Sequence, residues 1–229
     1  MSSGLPLIVT RPEPGNSATI ARAMTLGFDA HAMPLFAARA LPWTAPAPQD
    51  FDAMLLTSAQ TVRLAGPQLA RLAVLPVFAV GGATADAAQE VGLTVVRTGK
   101  ANAQSLLDAM TSENIARILW LCGRDRSDFD PRGAALEPLT CYAVDPVAPS
   151  PDWQKFIAAP AVLLAHSARA AQRIADLVGP QRAHLALVAI SPAVAAGAGK
   201  GWGELAAAAA PTDASMLALA YALCHKGEK

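Results

Sequence analysis

FDAMLLTSAQTVRLAG at residues 51–66 and LPVFAVGGATADAAQEVG at residues 75–92 are echoed later in the chain. The echo is APAVLLAHSARAAQRIADLVG at residues 159–179, followed by LALVAISPAVAAGAGKG at residues 185–201. Each pair runs strand, serine, helix, strand, turn, helix, glycine. The strands are short, continuous apolar runs, the signature of strands buried on both faces in a parallel sheet covered by helices. Ser58 and Ser167 stand at the same strand-to-helix junction, where a hydroxyl oxygen can accept from the free N–H groups of the first turn. Any two strand–helix–strand units look somewhat alike, but the ordered placement of the two serines argues for duplication. Two copies imply two similar domains with a cleft between them, where ligands commonly bind.

The rest of the chain fits the same scheme. Leu5 to Thr10 and Ile118 to Cys122 read as further buried strands, alongside Phe51 to Thr57, Val77 to Val80, Ala161 to Ala165 and Leu185 to Ile190. Helices are predicted from about Pro14 to Leu26, Ser58 to Leu72, Thr84 to Val91, Asn102 to Met110, Ser167 to Val178 and Ala214 to Cys224. Alternating strands and helices give an α/β class with mainly parallel sheets flanked by helices. Proline-rich Pro42 to Pro48 and Pro146 to Pro151 are candidate crossings between domains.

The composition bounds the partners. The chain has 229 residues, 53% of them hydrophobic, enough for one large core or two small ones. Lys plus Arg and Asp plus Glu both number 18, so the basic surplus of a nucleic-acid binder is absent. Cys122, Cys141 and Cys224 have neither zinc-site nor disulfide-framework spacing, and read as reduced thiols of a cytosolic protein. No secretory signal is evident, and the alanine-rich run Leu205 to Ala210 is too short to span a bilayer. The expectation is a soluble, cytoplasmic protein without nucleic-acid or membrane partners.

Several motifs can carry chemistry, each with a plainer reading beside it. Thr10-Arg11-Pro12 follows the first strand, and functional groups of open α/β sheets gather beyond strand C-termini. Arg11 can meet an anion there, or simply bond loop carbonyls. Gly81-Gly82-Ala83-Thr84 opens a helix after a strand and can present backbone N–H groups to an anion, or be a tight turn. Neither GxGxxG nor GxxxxGK[ST] is present. His166 precedes Ser167 without a nucleophile-elbow pattern, so capping or anion binding suits Ser167 better than covalent catalysis, and His166 reads as a packed residue. In GRDRSDFDP, Arg124, Arg126 and Arg132 interleave with Asp125, Asp128 and Asp130. That is a charge-balanced loop or a patch for substrate carboxylates. Tyr142 in the extended run LTCYAV is a half-buried strand tyrosine, or a phenol that donates a proton.

Taken in order, TRP after the first strand, LLTSAQTV, AVGGATADAAQEVG, LCGR, the tyrosine of TCYAV, LLAHSARA and VAISPAVAAGAGKG before APTDASML resemble the uroporphyrinogen-III synthase family across nearly the full chain. The resemblance implies two α/β domains joined by two extended connectors. One domain would hold residues 1–36 plus 147–229 and the other residues 37–146. It implies cyclisation of hydroxymethylbilane with loss of water and inversion of the terminal pyrrole ring, by an azafulvene and a spiro intermediate. It implies no metal or organic cofactor, and a monomer is expected. Carried over by motif, Tyr142 would aid loss of water, while Arg11, Ser58, Thr84 and Ser167 would bind substrate; Gly82 and Arg124, from the reading of their own motifs, are expected to bind it with them.

Two departures stand out. The family usually has a Gly-Pro-Thr-Thr-like turn where this chain has Ile190-Ser191-Pro192-Ala193-Val194, so Ser191 would substitute for the threonine hydroxyls. The stretch from Gly123 to Tyr142 is short, and Pro131 and Gly133 weaken any helix there. These departures motivate an alternative, a non-catalytic two-domain binding protein for an anionic small molecule such as a tetrapyrrole. A nucleotide-binding regulator is a third option, opposed by the missing phosphate fingerprints.

Overall fold

The six apolar runs form the central strands of two sheets in the computed structural model, which describes residues 4–99 and 102–224. Along the chain, β1 (Leu7–Val9), α1 (Gly15–Thr25), β2 (Ala30–Ala32) and β3 (Phe36–Ala40) come first. They are followed by β4 (Ala53–Leu56), α2 (Ala59–Leu64), β5 (Val77–Val80), α3 (Gly82–Glu90), β6 (Val95–Gly99), α4 (Ala103–Ser112), β7 (Arg117–Gly123) and β8 (Ala135–Pro146). The chain then forms α5 (Trp153–Ile157), β9 (Val162–Ala165), α6 (Ala168–Val178), β10 (Ala186–Ala189), α7 (Pro192–Gly197), β11 (Glu204–Ala207) and α8 (Asp213–Cys224). Two compact units result: Met1–Ala37 with Pro146–Lys229, and Ala38–Asp145. The chain leaves the first unit within β3 and returns within β8, so Pro42 to Pro48 lies inside the second unit rather than at a passage.

The first unit carries a five-stranded sheet in the order β11-β10-β9-β1-β2, with parallel pairing throughout. Leu7, Val9, Val162, Leu164 and Val188 pack on one face of it against Ala23 of α1 and Met216, Leu217 and Ala220 of α8. α6 buries Ala170, Ala171, Ile174, Ala175 and Val178, the one-faced spacing of a helix lying on a sheet.

The six-stranded sheet runs β3-β8-β7-β4-β5-β6, with β8, β7, β4, β5 and β6 parallel to one another in succession. Alternate residues of the same strands enter opposite layers. Met54, Leu56, Val77, Leu119 and Leu121 face α2 and α3, while Leu55, Phe78, Ile118 and Trp120 face Leu106, Leu107 and Met110 of α4. Each such leucine, isoleucine or valine contributes about 1.5–3 kcal/mol on burial.

The sequence echo is a structural one. β4-α2-β5-α3-β6 and β9-α6-β10-α7-β11 repeat the same order, each with a 3₁₀ turn after its first helix, at Gly66–Leu72 and Gly179–His184. Beside the first strand of each repeat, on the side away from the second, lies another strand: β7 next to β4, and β1 next to β9. The outer neighbour is β8 in one unit and β2 in the other. The units therefore share a strand order but differ in where the chain enters it.

Local differences from the sequence reading have clear causes. The helix predicted to Leu72 stops at Leu64, because Gly66 takes a left-handed φ of 68° and Pro67 lacks an amide hydrogen. In keeping with the expected weakening by Pro131 and Gly133, no helix forms between β7 and β8, where Arg132 and Gly133 have φ values of 53° and 86°.

Candidate active site

Each sheet has one place where strand order reverses. In the first unit the chain goes from β1 to β2 on one side and from β9 to β10 on the other. Such a switch point leaves a crevice beyond the strand C-termini. Arg11 follows β1 here, and His166 and Ser167 follow β9. In the other unit, the reversal lies between β4 and β7. Ser58 follows β4, Arg124 follows β7, and Tyr142 pairs with Gly123 at the end of β7. Gly82 and Thr84 begin α3 after β5, and Ser191 precedes α7 after β10. The sequence-predicted residues thus lie at the C-terminal edge of their own sheets, in two groups.

Tyr142 owes its placement to two backbone features. The register between β7 and β8 shifts after the Cys122–Thr140 pair, so that Gly123 pairs with Tyr142 rather than Cys141. Irregularities of this kind re-aim a side chain. Gly123 then lets the ring lie directly on the backbone: a Cβ there would sit 2.7 Å from Tyr142 Cζ and 2.9 Å from Oη. Burial pushes the Tyr142 phenol up from its ordinary pKa, and the Ser58 hydroxyl pulls the other way. The group holds its proton at neutral pH and is able to give it to a developing anion.

The three serines are helix caps. Ser58 Oγ accepts from Gln60 N at 3.2 Å, Ser167 Oγ from Ala170 N at 3.1 Å and Ser191 Oγ from Val194 N at 3.4 Å. Each hydroxyl retains a hydrogen to donate. Gly81 needs its glycine for a φ of 78°, whereas a Cβ on Gly82 would meet open space. Thr84 is buried at 5% exposure. Arg124 donates to Asp145 Oδ1 at 2.6 Å and to Asp125 Oδ2 at 3.2 Å. These acids raise its pKa, so a substrate carboxylate would compete with them for the guanidinium.

One cluster has no warning in the sequence. Asp213, the first residue of α8, accepts from Thr19 Oγ1 at 2.8 Å and from Arg22 Nη1 at 2.6 Å. His166 Nε2 lies 3.2 Å from Asp213 Oδ1, and Arg11 Nη1 lies 3.6 Å from it. Burial raises the Asp213 pKa, but the bonds from Thr19, His166 and Arg22 outweigh that and hold it below the usual carboxylate value. Burial, helped by Arg11, lowers His166 below its ordinary 6.5 and keeps it neutral at neutral pH. Its Nε2 then carries the hydrogen given to Asp213, and the buried Nδ1 has no partner. The partners lie far apart in the chain, 194 positions in the case of Thr19 and Asp213, so no local motif announces them.

Residues 17–218 match the family model described as uroporphyrinogen-III synthase HemD. A uroporphyrinogen-III synthetase from Helicobacter pylori superposes with a TM-score of 0.66 at 15% identity, covering 96% of this chain and 99% of that one. A mutant uroporphyrinogen III synthase from Thermus thermophilus gives a TM-score of 0.52 at 19% identity, with the same coverage. These likenesses concern the fold. No curated protein sequence matches the chain.

Proposed function

We propose a mechanism that starts from one fact: the chain belongs to the uroporphyrinogen-III synthase family. It is a cyclising lyase of tetrapyrrole biosynthesis, and its substrate is hydroxymethylbilane. Water leaves, the ring closes and the terminal pyrrole is inverted.

The pyrroles supply most of the reactivity, and two tasks are left to the protein. The first is to fold a flexible polyanion so that the substituted carbon of the far ring attacks, which is catalysis by proximity and orientation. Arg11, Ser167 and Ser191 in the first unit, and Ser58, Gly82, Thr84 and Arg124 in the second, would hold the carboxylates through guanidinium, hydroxyl and amide donors. The second task is departure of the hydroxyl. The C–O bond breaks with its electron pair on oxygen, which takes the Tyr142 proton and leaves as water. The substrate becomes an azafulvenium and Tyr142 a phenolate, which recovers a proton when the closed ring loses one.

The observation that carries this reading is the placement of Tyr142, which the β7–β8 register shift and the bare Gly123 backbone put at the switch-point edge of its sheet. The test supplies purified protein with hydroxymethylbilane and separates the ring isomers. Type III product is expected. Type I alone, the spontaneous product, or tight binding without turnover would overturn the reading. The two compact units would serve as the two domains of a monomer. No described helix is long and apolar enough to cross a membrane, and the three free cysteines suit the reducing cytoplasm.

A further inference from the structure

We propose that Asp213 and Gly15 are positioning residues that hold Arg11 as a preformed clamp for one substrate carboxylate. The proposal rests on the reading that Arg11 binds substrate, and adds how its guanidinium is held and what charge it awaits.

Arg11 is fixed on two sides. Its Nη1 donates to Thr19 Oγ1 at 3.3 Å, and Thr19 in turn donates to Asp213 Oδ1 at 2.8 Å. The bonds run in one direction, from Nη1 to hydroxyl to carboxylate, so each donor of this relay has an acceptor. On the other side Nε, Cζ and Nη2 of the guanidinium lie next to the Cα of Gly15. A Cβ on Gly15 would come within 2.6 Å of Arg11 Cζ and 2.7 Å of Nη2. The φ of Gly15 is not in the left-handed region, so the backbone does not need glycine there. The space above it does.

What remains free defines the ligand. Among the described residues only Nη1 is engaged, which leaves the Nε and Nη2 hydrogens for a ligand, and the side chain is 32% exposed. A guanidinium with a vacant edge matches a carboxylate with two parallel bonds. Charge points the same way: Arg11 and Arg22 are positive, Asp213 is negative and His166 is neutral. The cluster carries one net positive charge, which a single carboxylate neutralises. Asp213 also binds Arg22 and His166, and so ties the segment after β1, helix α1 and the segment after β9 into one frame. Preorganisation of this sort favours binding because less motion is lost when the ligand arrives.

The experiment measures kcat and KM for type III formation from hydroxymethylbilane in Arg11→Ala, Gly15→Ala, Asp213→Asn and the double variant Gly15→Ala/Arg11→Ala. Gly15→Ala should raise KM about tenfold, equivalent to about 1.4 kcal/mol, with kcat within about twofold. Its thermal stability should equal or exceed that of the parent, since alanine favours a helix over glycine. Asp213→Asn should raise KM as well. In the Arg11→Ala background, Gly15→Ala should add nothing, because the atoms its Cβ would strike are gone. If Arg11→Ala raises KM while Gly15→Ala leaves it unchanged, or if the Gly15→Ala effect persists without Arg11, the positioning role is overturned. If Arg11→Ala itself leaves KM unchanged, the underlying assignment of Arg11 falls, and the proposal falls with it.

Discussion

Replacing Gly123 with alanine should disable Tyr142 without touching it. The added Cβ would lie 2.7 Å from Cζ of the ring and 2.9 Å from its hydroxyl. Carbon atoms pack at about 3.5–4.0 Å, so the ring must retreat by roughly 0.8 Å. Gly123 is buried in β7 and its φ is not left-handed, so the backbone accepts alanine and the ring has to move. Misplacing a catalytic group by about 1 Å costs about 10²-fold, equivalent to about 2.7 kcal/mol of barrier. Overpacking costs about 1–3 kcal/mol of stability, and replacing glycine returns about 0.5–1 kcal/mol. The protein should stay folded with a modestly lower Tm. The assay is kcat for type III formation, with thermal unfolding alongside. Adding Gly123→Ala to Tyr142→Phe should lower kcat no further, since both act through one phenol. A folded Gly123→Ala enzyme turning over at the parental rate would refute the reasoning.

Three other outcomes follow from the same structure. His166 and Asp213 both have lowered pKa values in the fold. The stability they contribute is present above their unfolded values and is lost as pH falls through the folded ones. For His166 the loss begins below about pH 6.5, so His166→Gln should flatten that part of the stability profile measured by denaturant titration; an unchanged slope would contradict the neutral, buried imidazole. Burial pushes Cys141 up to about 12 and Cys224 up to about 11, so alkylation at pH 7 should await unfolding, and rapid labelling of the native protein would be contrary. Ser167→Ala removes the cap of α6 and should cost about 0.5–2 kcal/mol, read from denaturant midpoints; no change would mean that the Ala170 amide is satisfied otherwise.

The sequence was legible where burial is two-sided. The runs that became β1, β4, β5, β7, β9 and β10 are continuous and apolar because helices cover both faces of the sheet, and that composition is strand-specific at such lengths. The outer strands are different. In β6 only the two end residues are even partly buried, and β8 alternates irregularly through Pro138 and Pro146, so neither shows a clean period. The serine caps were readable because capping is a local event, fixed by a strand end and a first helical turn. Arg11 and Arg124 drew attention for the same reason, since each follows a strand. The Asp213 cluster and the contact of Tyr142 with Gly123 were not readable. They depend on how β1, α1, β9 and α8 meet, and on a register shift between β7 and β8 that no residue type encodes.

Measuring saturated turnover of Tyr142→Phe, with ring isomers resolved, tests the central claim most directly. General acid catalysis is worth about 10²–10⁴-fold, so kcat for type III product should drop by a factor in that range while KM stays near the parental value. Parental kcat in the folded variant would contradict a phenolic proton as the one that carries the hydroxyl away.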